Sequence, residues 1–171
     1  MKTLASTKQF TLRYVPKHVI PPVAARYLGS PVHPIRPKIF HMYATRDRNT
    51  LWWRVSVKPI QGFRRVVRSW CARRARLAFR QALKDRGFDA EGRRMRSESS
   101  GEGGSTPERN DDYIHGSLEI VVQPQSVQED MTVVQTDMHH LVDVLIEKTK
   151  APLKNDDNQK NNNPRKKKTK E

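Results

Sequence analysis

Apolar positions recur with two different periods along this chain, and those periods lay out most of its elements. Over Gly62–Gly87 (GFRRVVRSWCARRARLAFRQALKDRG) a turn of about 100° per residue puts Val67, Cys71, Ala75, Ala78 and Ala82 on one side, flanked by Trp70 and Phe79. Arg65, Arg73, Arg76, Arg80 and Lys84 gather on the opposite side, and Gly87 supplies a C-terminal stop. The small residues let this helix lie close against a sheet. A second helix is predicted over Asp130–Lys148, with Val134, Met138, Leu141 and Leu145 in its apolar stripe. Its acids Glu129 and Asp130 at the start and Lys148 and Lys150 at the end suit the helix dipole.

Other stretches alternate residue by residue, the strand period. In Lys38–Ala44, Phe40, Met42 and Ala44 oppose Ile39, His41 and Tyr43. In Leu51–Lys58, Trp53, Val55 and Val57 oppose Trp52, Arg54, Ser56 and Lys58. With the polar TRDRNT (45–50) between them, these two runs read as a β-hairpin closed by Pro59. Ser117–Gln123 is a further strand, with Leu118, Ile120 and Val122 facing one way and Pro124 after it. The fold class that results is α/β, an α+β sandwich: a small sheet with a β-hairpin, an arginine-rich helix, a strand and a helix.

Composition sets the boundaries. Six prolines fall within 16–37, so that stretch should be extended or turn-rich, with at most a short helix around Val23–Leu28. Residues 1–37 read as a basic, proline-rich extension, 38–150 as the single domain, and 151–171 as a disordered basic tail. Met95 is the one hydrophobic residue of Arg93–Asp112, so 89–115 is predicted to be a flexible insertion.

Charge changes the picture from fold to partner. The 171 residues hold 33 Lys and Arg against 18 Asp and Glu, a net +15. Residues 1–91 alone hold 20 basic and 4 acidic side chains, and no acid precedes Asp47. Such a surface repels itself unless a polyanion offsets it. The opening MKTLASTKQFTLRYVPKHV is basic and hydroxyl-rich, which reads as a mitochondrial transit peptide or as a basic arm lying on RNA. PRKKKTKE at 164–171 reads equally as an RNA-binding tail or a nuclear localisation sequence.

Catalytic constellations are not legible. Cys71 is the only cysteine, which excludes a disulfide framework and any multi-cysteine zinc site, and it lies on an apolar helix face as a buried thiol. His139 and His140 are adjacent and so point apart on a helix, without the i, i+4 spacing of a metal-binding pair. Asp111 and Asp112 sit in the low-complexity insertion. No metal, cofactor, small-molecule substrate or membrane partner is called for. No apolar run is long enough to span a bilayer.

The positive signal is the helix. Between Phe63 and Lys84 no acid occurs, whereas solvated helix faces normally interleave acids with bases to form i, i+4 pairs. Guanidinium groups at turn spacing can each fork two hydrogen bonds onto phosphate oxygens. The candidate RNA-binding set is Arg64, Arg65, Arg68, Arg73, Arg74, Arg76, Arg80 and Lys84, joined by Tyr43, Trp52, Arg54 and Lys58. On their strand face Trp52, Arg54, Ser56 and Lys58 could stack a base and grip its phosphate. Equally, Trp52 could be a core residue under a helix.

The wording WRVSVKPIQGFRRVVRSWCARRARLAFRQAL resembles the core of the protein subunit of bacterial-type ribonuclease P. In that family a strand with a V-S-K-like phrase and a glycine-bearing loop precede a helix of R-N-x-x-K-R-x-x-R character. Val55, Ser56, Lys58 and Gly62 fit the strand and loop, and Arg68, Arg73 and Arg76 the basic spacing, with Arg80 a turn on. GSLEIVVQPQ and the 130–148 helix look like the family's last strand and helix, so the resemblance covers about 38–88 and 116–148. Ser69 stands at the motif's asparagine, Ala72 at its lysine, and Trp70 where a basic residue is common.

The resemblance implies that the helix grips an RNA component through Arg68, Arg73, Arg76 and Arg80. It also implies a sheet-face cleft for the 5′ leader of precursor tRNA, toward which Tyr43, Trp52 and Arg54 would lie. Magnesium and catalysis would belong to the RNA. The expected function is an RNA-binding protein of a mitochondrial ribonucleoprotein, bound to ribosomal RNA or to ribonuclease P RNA and precursor tRNA, alongside other ribonucleoprotein subunits. The alternative is a nuclear or nucleolar DNA- or protein-binding factor.

Overall fold

The computed structural model describes residues 1–95 and 113–150. Its elements run β1 (Lys2–Ser6), β2 (Phe10–Val15), α1 (Pro22–Gly29), α2 (Arg36–Ala44), β3 (Leu51–Ser56), α3 (Arg65–Asp85), β4 (Gly116–Val122) and α4 (Met131–Lys150). The strands form one mixed sheet in the order β1-β2-β4-β3. β1 and β4 both run antiparallel to β2, while β3 pairs with β4 in parallel. This is an α+β fold, as the periodicities predict.

One face of the sheet carries Phe10 and Leu12 from β2, Leu51 from β3, and Leu118, Ile120 and Val122 from β4, all buried. Against it pack α3, through Cys71, Ala75, Ala78, Phe79 and Ala82, and α4, through Val134, Met138, Leu141 and Leu145. Both helical stripes therefore face inward as their spacing requires, and alanines at three of the α3 contacts let the helix come close to the strands. Burial pushes the Cys71 thiol up from its ordinary value, although Arg74 nearby pulls the other way.

Three expectations are corrected. Lys38–Ala44 is not a strand but most of helix α2, and no hairpin joins it to β3. Pro37 near the start of α2 lacks the N–H that a strand ladder would use but fits the first helical turn. Ile39 and Tyr43, one helical turn apart, are the half-buried pair, while Phe40 and Met42 stay exposed. The hairpin lies elsewhere: β1 and β2 form it, within the stretch read as an extension. Phe10, Leu12 and Tyr14 alternate with Thr11, Arg13 and Val15, a strand period hidden beneath a basic composition. The domain thus includes residues from Lys2 onward.

Third, the ends of the supposed flexible insertion are built in. Phe88 and Ile114 are core residues, Arg93 bridges Tyr113, and Leu51 N–H donates to the Glu91 carbonyl. Residues 96–112 of that insertion and the 151–171 tail lie outside the described residues. The short helix expected around Val23–Leu28 is α1.

The sheet's second face is covered at its Trp52–Ser117 end. Residues 16–50 cross it, with Val19 N–H donating to Ser117 Oγ at 2.7 Å and His18 Nε2 meeting the Thr50 carbonyl at 3.1 Å. Gly116 makes the crossing possible. It sits at φ +104°, and a Cβ there would stand 2.6 Å from the Val15 carbonyl oxygen.

Candidate nucleic-acid interface

Helix α3 presents its charge outward in a stripe. Arg73, Arg80 and Lys84 are exposed because they lie across the helix from the alanine-rich buried face, while Arg65 and Arg76 are exposed at its edge. Arg65, Arg68, Arg73 and Arg76, with Ser69, Ala72 and Val57, line a shallow open groove of about 530 Å³. Among the described residues no carboxylate forms an ion pair with any of these four arginines, nor with Arg64, Arg80 or Lys84. Arg68 is half-buried at the groove, and its Nε–H has no acceptor among the described residues. Arg64 and Arg65 open the helix with no acid in the first turn and no side-chain cap. Positive side chains at the positive end of the helix dipole are unfavourable unless an anion arrives. Arg73 has only a long 3.4 Å bond to the Ser69 carbonyl, and Arg80 lies 5.8 Å from the Trp53 ring centroid.

Arg74 is different. It donates to the Ser126 carbonyl at 3.3 Å and to the Glu129 carbonyl, and lies 4.8 Å over the Trp70 ring, so it clamps α3 to the turn before α4. Arg86, which the sequence reading passes over, does the same at the other end. It forks onto the Asp143 carboxylate and meets His139 Nδ1 at 2.6 Å and the His139 carbonyl at 2.8 Å. His139 is thereby committed to a network with Arg86, Gln135 and Asp85. Among the described residues no group of three or more metal-ligating side chains comes together.

The strand set separates from the helix set. Trp52 points to the roofed face and is only 8% exposed. His18 (4.6 Å between ring centroids), Tyr43 (5.7 Å) and the Arg46 guanidinium (4.7 Å) surround its ring, and its Nε1–H donates to the Asp47 carbonyl at 3.0 Å. Of the two readings of Trp52, the structure gives the core residue, and half-buried Tyr43 serves as part of its cover. Arg54 donates to Glu119 Oε1 at 2.7 Å, while Arg13 lies 3.6 Å from the other oxygen. Glu119 is buried, so these arginines neutralise an internal acid. Beside them remains a pocket of about 220 Å³ walled by Val19, Ile20, Pro21, Arg46 and Trp52. The sheet face that the resemblance implies to be open is therefore covered at its Trp52–Ser117 end, with the pocket left beside Arg54 and Glu119. Lys58 is exposed in a 3₁₀ turn (Lys58–Ile60), next to Val57 of the groove.

The Arg13–Glu119–Arg54 arrangement could not be read from spacing, since it depends on the register that sets Glu119 opposite both Arg13 and Arg54. Compared with known proteins, the chain matches no family model, no curated protein and no solved structure.

Proposed function

We propose that this chain is an RNA-binding subunit of a ribonucleoprotein and that the arginine stripe of α3 holds the RNA backbone. The observation that carries the reading is the groove lined by Arg65, Arg68, Arg73 and Arg76 without a paired carboxylate among the described residues. Like charges held this close cost free energy until a polyanion neutralises them, and each phosphate contact releases condensed counterions. Wherever an arginine of α3 has an internal partner, as at Arg74, the remaining ones still share one exposed face, so the protein's own structure does not use them up.

The finer proposal is a subunit resembling the ribonuclease P protein, aiding precursor tRNA processing. It is supported by the order strand, arginine helix, strand, helix around a single sheet, with the motif-like Arg73 and Arg76 exposed and Arg68 half-buried beside them. A ribosomal structural protein is the coarser sibling of the same reading. Catalysis would reside in the RNA. We place the protein in the mitochondrial matrix on the strength of its basic, hydroxyl-rich opening MKTLASTKQFTLRYVPKHV. The nuclear alternative rests on PRKKKTKE.

Fluorescence anisotropy against structured RNA across a salt series tests the binding. Affinity should fall steeply with salt, and R73Q/R76Q/R80Q should make the log–log slope shallower by about 2 to 3, at roughly 0.7–0.9 per lost contact. An unchanged slope would remove α3 from the interface. Sequencing the RNA that copurifies with the native protein decides between the two forms: ribosomal RNA supports a structural subunit, and ribonuclease P RNA or precursor tRNA supports processing.

A further inference from the structure

We infer that Trp70 is a base-stacking platform beside the arginine stripe, so that α3 prefers RNA carrying an unpaired nucleotide over plain duplex; this rests on the RNA-binding reading above. The three tryptophans divide cleanly. Trp52 and Trp53 lie on strand β3, and their Nε1–H groups donate to the carbonyls of Asp47 and Ala90. Trp70 stands on the outer side of α3 with 44% of its surface exposed, and its Nε1–H has no acceptor among the described residues. Val66 and Leu77, one turn before and two turns after, are still more exposed at 75% and 62%. An apolar ridge thus runs along the same solvent face as Arg73, Arg80 and Lys84.

At about 100° per residue, Trp70 and Leu77 lie between roughly a ninth and a quarter of a turn round the helix from Arg73 and Arg80. The two stripes are therefore parallel and adjacent, one cationic and one apolar. A nucleotide strand has the same two-sided chemistry, phosphate on one side and a π-face on the other. An unbroken A-form duplex does not, because its bases are stacked internally and its deep groove is too narrow for side chains. Only a bulged, looped or terminal base could reach an indole on this helix.

Arg74 makes the platform rigid. It covers one ring face at 4.8 Å and is itself tied to the Ser126 and Glu129 carbonyls, which leaves the opposite ring face for a ligand. A ring held this way loses little freedom on binding. A carboxylate-rich protein helix would also complement the arginines, the apolar ridge and the indole N–H, but a flat free ring face is matched best by the π-face of a base.

The test compares one RNA duplex with the same duplex carrying a single bulged adenosine, each titrated into the full-length protein. The wild type should bind the bulged RNA more tightly by between about 5-fold and 150-fold, the range of one base stacked on an aromatic ring. A fluorescent purine analogue in the bulge should be quenched on binding. W70A should lose the preference and the quenching while keeping the salt slope. W70R, which puts a cation in place of the ring, should bind both RNAs alike with a slope steeper by about 0.7–0.9. Circular dichroism of both variants separates loss of stacking from loss of fold, and W70F should retain most of the preference. Equal binding of the two RNAs by the wild type, or an intact preference in both W70A and W70R, overturns the platform while leaving the arginine stripe standing. Failure to bind either RNA overturns both.

Discussion

Arg54 and Glu119 face each other across the parallel β3–β4 ladder, Nη2 to Oε1 at 2.7 Å, on the sheet face that residues 16–50 cover. The carboxylate is buried and the guanidinium is about two-thirds buried, so neither is free to meet a ligand without abandoning the other. An arginine that sequence spacing offers to RNA is thereby spent on the fold. Removing it should destabilise the protein: R54A should cost about 2–3 kcal/mol in urea unfolding, below the 3–5 kcal/mol of a fully buried pair because water still reaches Arg54. The double variant R54A/E119L should recover part of that loss, and RNA affinity per folded molecule should not change.

The hairpin β1–β2 makes a second prediction. Phe10 is fully packed between Val122 and the helices, and a Phe→Ala change at such a site costs about 3–5 kcal/mol. F10A should therefore lower the melting temperature sharply, and a chain lacking residues 1–15 should fail to give cooperative unfolding. A truncated chain as stable as the whole would mean that the sheet does not need β2.

Arg86 and Asp143 predict a pH effect. The hydrogen bond from Arg86 holds the Asp143 carboxyl below its usual range, helped by the charges of Arg86, His139 and His140 and opposed by slight burial. A folded-state pKa lower than the unfolded one gives stability that is complete above about pH 4 and is lost as pH falls through the folded value. D143N should therefore unfold more easily than wild type near neutrality, and the gap should close under acid. Urea midpoints measured between neutrality and acid check the sign; a gap that widens toward low pH contradicts it.

Arg80 and Arg86 sit fewer than two turns apart on the same stretch of chain and should behave oppositely. R80Q should leave unfolding unchanged and lower the salt slope of RNA binding by about 0.7–0.9. R86Q removes bonds to Ala82, His139 and Asp143 and should cost roughly 1–3 kcal/mol of stability with RNA affinity intact. Parallel denaturation and anisotropy on the two variants decide it.

Sequence alone sufficed for α3, α4, β3 and β4. In each, period and burial coincide over several residues: Cys71, Ala75, Ala78 and Ala82 fall on one helical stripe, and Leu118, Ile120 and Val122 on one strand face. It failed at 38–44, where seven residues of mixed character fit either period, and Pro37 tipped the balance toward helix. It failed at 2–15 because the alternation there is only six residues long and is set among basic and hydroxyl side chains.

The one-signed face of α3 was likewise fixed by order of residues, since no acid between Phe63 and Lys84 could ever lie beside those arginines on the helix. Which cations remain outward was settled by packing. Glu119 takes Arg54, the carbonyls of Ser126 and Glu129 take Arg74, and Asp143 takes Arg86, while Trp52 goes under a roof and Trp70 stays out. Local periodicity acts over a few residues and is written in the chain; partners as far apart as 54 and 119 meet only through strand register, which the whole sheet imposes.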